Sequence, residues 1–128
     1  MPYWLLIIAA MFATPSYAAE FTLADCRREM SKMINLLEQG KDKELLLTYV
    51  DPTQLRKFLT DHKIAIDAFA ADFKNDGKAA RLLKALHAAN DTNGTIDTVD
   101  KTVRFALDGA GPREITLEFV DGRWFIRN

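Results

Sequence analysis

Cysteine is scarce in this sequence, and neither sign of charge is in excess. The chain of 128 residues contains one cysteine, Cys26, which excludes both a framework of intrachain disulfides and a zinc site built from several thiolates. It carries 17 basic and 18 acidic residues and a formal net charge of −1 at pH 7. Because a nucleic-acid-binding domain usually has a strong excess of positive charge, we expect no nucleic-acid partner.

Motifs that would identify a catalytic or cofactor site are absent as well. The sequence contains no glycine-rich phosphate loop, no Gly-x-Ser-x-Gly elbow and no Cys-x-x-Cys pair. Its two histidines, His62 and His87, do not stand in a spacing typical of a metal site. We therefore expect no cofactor and no metal. The composition, 48% hydrophobic and 27% charged, is that of an ordinary globular domain.

The N-terminal segment has no charged residue before Glu20. It holds an apolar run of eleven residues followed by a proline, whereas a membrane-spanning helix needs about 20 apolar residues. Such a run, with small residues before the cut, is typical of a signal peptide cleaved between Ala18 and Ala19. We expect residues 1–18 to be removed during export. Residues 19–128 then form one domain in the periplasm of a Gram-negative bacterium or outside the cell, without membrane attachment.

Helical periodicity dominates the first part of this domain. Apolar residues recur at spacings of three and four from Leu23 through Cys26 to Leu37, which predicts an amphipathic helix that ends at Gly40. Cys26 lies on the apolar stripe and is expected to be a buried thiol, with an intermolecular disulfide as the alternative. Similar stripes predict four more helices, at residues 42–50, from Pro52 onward, from a cap at Asp61 to residue 75, and at residues 78–89.

After Gly94 the apolar period changes from that of a helix to that of a strand. Alternation predicts strands over residues 102–107, 114–120 and 123–127, and a less regular strand over 95–99. Asp121-Gly122 is typical of a two-residue hairpin turn and would pair Phe119 with Trp124. The sequence therefore predicts an α+β fold, with N-terminal amphipathic helices packed on one face of a C-terminal three- to four-stranded antiparallel meander.

The hairpin register divides the strand residues between two faces. The inward face is predicted to carry Val103, Phe105, Leu107, Ile115, Leu117, Phe119, Trp124 and Ile126. Four of these are candidates either for the core or for the lining of a pocket that binds a small apolar ligand: Phe105, Leu117, Phe119 and Trp124.

The outward face is predicted to carry an apolar spot with a charged rim. We expect Phe125 to be exposed there, either shielded only by arginine stems or used in an interface. The predicted interface, for a homodimer or a periplasmic protein partner, consists of Val120, Phe125 and Arg127.

Three segments carry a resemblance to a known family. Residues 38–42 read Glu-Gln-Gly-Lys-Asp. Residues 47–52 read Leu-Thr-Tyr-Val-Asp-Pro and residues 119–126 read Phe-Val-Asp-Gly-Arg-Trp-Phe-Ile. Together with the leading helix, they resemble the nuclear-transport-factor-two-like superfamily, a cone-shaped, cystatin-like α+β fold that includes SnoaL-like cyclases, ketosteroid isomerase and many small exported bacterial proteins. The resemblance implies a pocket inside the cone and pairing of copies through their sheets. The chain differs from that family in its long helical stretch over residues 52–89.

Catalysis in that superfamily depends on Asp, His or Tyr side chains that project from the sheet into the pocket. The inward positions predicted here carry none of them, so no catalytic residue is transferred. We therefore expect a non-catalytic binding or interaction module. The alternative is a small hydrolase or isomerase in which a helix-borne histidine meets a carboxylate or a tyrosine in a cleft; its candidate groups are His62, His87, Asp67, Asp72 and Tyr49.

Overall fold

The computed structural model describes residues 20–108 and 112–127. The predicted signal peptide, residues 1–18, lies outside the described residues. In the part that is described, five helices precede four strands: α1 (Leu23–Glu38), α2 (Asp42–Tyr49), α3 (Pro52–Asp61), α4 (Ile66–Asn75), α5 (Lys78–Asn90), β1 (Gly94–Asp97), β2 (Thr102–Ala106), β3 (Glu114–Val120) and β4 (Arg123–Arg127). This order confirms the predicted α+β class.

Local sequence signals fix both ends of α1. The Thr22 side chain accepts a hydrogen bond from the backbone N–H of Asp25 at 3.1 Å, as an N-cap residue does. At the other end Gly40 takes a positive φ of 72°, which glycine adopts without strain. The backbone N–H of Lys41 then donates to the carbonyl of Leu36 at 2.8 Å and closes the helix with a Schellman turn.

The boundary between α3 and α4 differs from the prediction. The Asp51 side chain caps α3, but the expected capping of the next helix by Asp61 is wrong, because Asp61 is the last residue of α3 and α4 begins at Ile66. Lys63 has a positive φ of 50°, and its backbone N–H donates to the carbonyl of Thr60 at 3.2 Å. This left-handed residue ends α3, and α4 begins about one turn later than the local polar pattern indicated.

The four strands form one antiparallel sheet in the order β1-β2-β3-β4. The predicted hairpin is confirmed, since Phe119 pairs with Trp124 and Val120 pairs with Arg123. Asp121 and Gly122 have positive φ values of 51° and 78°, which is the backbone of a type I′ turn and matches the twist of the flanking strands.

The hydrophobic core lies between the helices and one face of the sheet, called here the inner face. Cys26 and Met30 of α1 are fully buried in it beside Phe105 and Leu117 of the sheet, so the predicted burial of the thiol is confirmed. Burial raises the pKa of Cys26 to about 12, so the sulfur stays protonated and unreactive at neutral pH. Trp124, 2% exposed, is buried as its place in the register predicts.

A charged residue of α1 fixes the start of the sheet. The Arg27 guanidinium donates to the carbonyls of Asn90 at 3.2 Å and Thr92 at 2.7 Å, and it lies 5.4 Å from the ring centroid of Phe105. Gly94 stands two residues after Thr92. A Cβ atom at Gly94 would come within 2.8 Å of a Val103 methyl carbon. The chain therefore enters β1 in close contact with the core.

None of the helices described is long and apolar enough to cross a membrane.

Candidate functional site

The face of the sheet opposite the core, called here the outer face, presents its side chains in rows across the strands. Strand pairing places Thr95, Arg104, Thr116 and Arg127 side by side in one row, because residues that face each other in a ladder share one face. The neighbouring row consists of Asp97, Thr102, Glu118 and Phe125. Hydroxyl groups thus alternate with charged groups along the first row.

A groove of about 410 Å³ runs over this face and is called here the outer groove. Its lining combines hydroxyl groups with charges of both signs, and the residues are Thr95, Asp97, Asp100, Thr102, Arg104, Glu114, Thr116 and Arg127. Nε of Arg104 lies 3.7 Å from a carboxylate oxygen of Glu114, and both side chains are more than half exposed. An exposed pair at this distance contributes little to stability, so both groups are available to a ligand.

The end of the groove at β1 is acidic. One carboxylate oxygen of Asp97 accepts the backbone N–H groups of Val99 at 2.9 Å and Asp100 at 3.0 Å, which orders the turn after β1 as an Asx turn. Within the described residues, neither Asp97 nor Asp100 forms an ion pair. The arginines of the lining lie on β2 and β4, so charge is distributed unevenly along the groove.

Phe125 is not the exposed aromatic that the alternation predicted. It lies on the outer face, opposite Glu118 in the register, but only 5% of its surface is exposed, so the expected exposure is wrong. The Arg123 guanidinium lies 5.0 Å from the centroid of the Phe125 ring and donates to the carbonyl of Thr48 in α2 at 3.2 Å. Helix α2 lies beside β4, and this hydrogen bond links Arg123 to it.

The other two residues of the predicted interface are placed differently. Arg127 is exposed and lines the outer groove, whereas Val120 is half-buried near the hairpin turn. Of the predicted set, Arg127 is therefore the side chain that lines the outer groove.

The four residues predicted to form the core or to line a ligand pocket lie together on the inner face. Phe105, Leu117 and Trp124 belong to the hydrophobic core, and Phe119 packs against it. The rings of Phe119 and Trp124 are 5.1 Å apart at their centroids, and Phe21 stacks on Trp124 at 5.7 Å. Their contacts are those of packed core residues.

Neither histidine meets the groups that the enzyme alternative requires. Nδ1 of His62 lies 3.0 Å from the carbonyl of Phe58, and its ring stacks on the ring of Phe58 at 4.0 Å. His87 is exposed on α5. Within residues 20–108 and 112–127, no hydrogen bond or ion pair joins either histidine to Asp67, Asp72 or Tyr49.

Two of those other groups, Tyr49 and Asp67, have partners elsewhere. The Tyr49 hydroxyl donates to a carboxylate oxygen of Glu29 at 2.9 Å, and burial together with this hydrogen bond raises the pKa of Tyr49 above its usual value. Asp67 forms an ion pair with Lys43 at 2.7 Å. Over the same described ranges, no group of three His, Cys, Asp or Glu side chains is arranged to hold a metal ion.

Sequence reasoning found only half of the outer groove. Arg104, Glu114, Thr116 and Arg127 follow from the alternation of β2, β3 and β4, but the contribution of β1 and the turn after it was missed. The signal that could have found it is Asp97, because an aspartate side chain can accept the backbone N–H two residues later and so favours a turn.

Comparisons with protein-family models, with curated proteins and with solved structures found no match to this chain. The resemblance to the nuclear-transport-factor-two-like superfamily thus stays a prediction from the sequence.

Proposed function

We propose that this chain is an exported, non-catalytic binding module that docks a partner on the outer groove. One observation carries the proposal: one face of the sheet is packed in the hydrophobic core, whereas the other bears a polar groove. Core side chains cover the inner face, while the outer face keeps a groove of about 410 Å³ lined by hydroxyl and charged groups. A concave polar surface on a rigid sheet is suited to recognising a partner by hydrogen bonds and complementary charge.

The chemistry of the lining supports binding rather than catalysis. Its acidic side chains, Asp97, Asp100 and Glu114, are all exposed, and a general acid or base usually works from a site whose surroundings tune its pKa. The lining contains neither histidine nor cysteine, the two side chains most often used for proton transfer and nucleophilic attack near neutral pH.

A peptide library tests the binding proposal. Random dodecapeptides displayed on phage are selected on the immobilised protein, and the selected peptides are then measured against two variants. Thr116→Arg places a long cationic side chain in the outer groove, and the matched control Thr60→Arg makes the same change on the exposed surface of α3. We expect Thr116→Arg to weaken binding at least tenfold and Thr60→Arg to leave it unchanged. No enrichment, or equal losses in both variants, contradicts the proposal.

Export is proposed from the signal-like segment before Glu20. Expression of the full chain in a Gram-negative host should give a periplasmic product whose N-terminal residue is Ala19. Protein recovered with Met1 still attached contradicts this part of the proposal.

A second copy of the chain is a further partner that suits the outer face. The face carries Arg104 and Arg127 as well as Glu114 and Glu118, so opposite charges can meet when two copies face each other around a two-fold axis. The oligomeric state tests this, as set out in the Discussion.

A further inference from the structure

The two edge strands of the sheet, β4 and β1, differ in how far they are covered by the rest of the chain. At the β4 edge, Arg123 bonds to α2 and the neighbouring Phe125 is buried. At the other edge, β1 pairs with β2 on one side, and three of its four residues are exposed. An uncovered edge strand presents unpaired N–H and C=O groups and accepts a further strand readily.

Apolar surface is exposed at this same edge. The side chain of Ile96 is 45% exposed and that of Val99 is 88% exposed, and the described residues include only two other large hydrophobic side chains that are exposed. Ile96 faces the fully buried Val103 in the register, so it lies on the inner face. The covering of the inner face is therefore incomplete at β1, and an added strand with an apolar residue beside Ile96 would complete it.

The outer face at this edge is acidic. Asp97 and Asp100 line the groove there, and neither forms an ion pair within the described part of the chain. Side chains of an added strand alternate between the two faces. A complementary strand would therefore place basic residues beside these carboxylates and apolar residues beside Ile96.

We propose that β1 receives an extended segment of a partner protein, with alternating basic and apolar residues, as a fifth strand of the sheet. This inference rests on the proposed function, because Asp97 and Asp100 belong to the outer groove. Main-chain hydrogen bonds supply the affinity in this mode of recognition, and the side chains on the two faces supply the specificity.

The test uses a capped hexapeptide, Lys-Val-Lys-Val-Lys-Val, as the probe. Two control peptides are Glu-Val-Glu-Val-Glu-Val, which reverses the charge, and the lysine peptide with N-methylated backbone amides, which removes the strand donors. We expect saturable binding of the lysine peptide alone. In spectra of the ¹⁵N-labelled protein, the largest shifts should fall on the amides of residues 94–97, and those of residues 123–127 should change little.

Paired variants test the role of charge. Asp97→Asn keeps the side-chain oxygen that orders the turn while removing the charge, and it is combined with Asp100→Asn. Since exposed ion pairs are weak individually, we expect the lysine peptide to bind about three- to tenfold more weakly. The matched control combines Asp72→Asn in α4 with Asp76→Asn at the C-cap of that helix, both at exposed residues, and should leave binding unchanged.

The outcomes separate this inference from the proposed function. If the N-methylated peptide binds equally well, or if the β1 variants do not weaken binding, addition at β1 is wrong. Peptides from the random library that respond to Thr116→Arg but not to the β1 variants would keep the outer groove as the binding site and still overturn addition at β1. If neither those peptides nor the lysine peptide bind, both proposals fail.

Discussion

The inner and outer faces of the sheet are formed by the same four strands, yet they differ in which elements cover them and in how much of each face is covered. The inner face is covered along most of its length by the helices, and residues such as Val103 and Leu117 have no exposed surface. The outer face is mostly exposed but is closed at β4, where Phe125 lies beneath Arg123. A strand's alternation thus identifies the two faces, while the covering of each face is set by elements distant in sequence.

The largest effect is expected on the inner face. Trp124→Ala should lower the free energy of unfolding by about 3–5 kcal/mol, since it removes a buried aromatic that packs against Phe21 and Phe119. Chemical denaturation measures the change. Arg127→Ala on the same strand is the control and should stay within about 0.5 kcal/mol of the wild type. A loss below about 1 kcal/mol for Trp124→Ala would mean that this face is less well packed than described.

Phe125→Ala tests whether the outer face is closed at β4. Because Phe125 is as well buried as many core residues, we expect a loss of about 3 kcal/mol, the lower end of the range for a buried aromatic. Arg123→Ala uncovers the ring and removes one hydrogen bond. It should lower the free energy of unfolding by about 1 kcal/mol. If Phe125→Ala behaved like a surface substitution, the burial of Phe125 would not persist in solution.

Gly94→Ala tests the close contact at the start of β1. The new Cβ atom would meet the Val103 methyl carbon at 2.8 Å and the Phe105 ring at 2.9 Å. This overpacking should lower the free energy of unfolding by about 1–3 kcal/mol. Val103→Ala removes one of the two clashing groups, and the double variant should therefore be more stable than the sum of the single losses predicts. Strict additivity would show that the added methyl group is accommodated elsewhere.

The smallest effect on stability is expected in the outer groove. Arg104→Glu should change the free energy of unfolding by less than about 0.5 kcal/mol, because the side chain is exposed and its ion pair is long. Its effect should appear in self-association instead. We expect the wild type to sediment as a concentration-dependent dimer and Arg104→Glu to remain monomeric. If both are monomeric at high micromolar concentration, the outer face does not join two copies.

The hairpin of β3 and β4 shows what local sequence can predict. Its register follows from a turn of Asp121 and Gly122 and from apolar residues at matching distances on each side. Both signals lie within a few residues of the contacts they specify. The capping of α1 by Thr22 and of α3 by Asp51 was predictable for the same reason.

Phe125 and the outer groove show where local sequence stops being sufficient. Arg123 lies over the Phe125 ring and donates a hydrogen bond to Thr48, which is 75 residues away in sequence. Likewise, the acidic end of the groove depends on β1, whose short and weakly alternating sequence does not reveal that Asp97 shares a face with Arg104. Such contacts follow from the packing of whole elements rather than from the pattern within one.

The single thiol of the chain also gives access to the dynamics of the fold. Cys26 lies on α1, between the helix layer and the sheet, and has no exposed surface. A thiol-specific reagent in solution can reach it only when α1 separates from the sheet, and the rate of labelling under native conditions therefore reports the free energy of that opening. With one cysteine in the sequence, the signal comes from one site, so the detachment of α1 can be timed without an introduced probe.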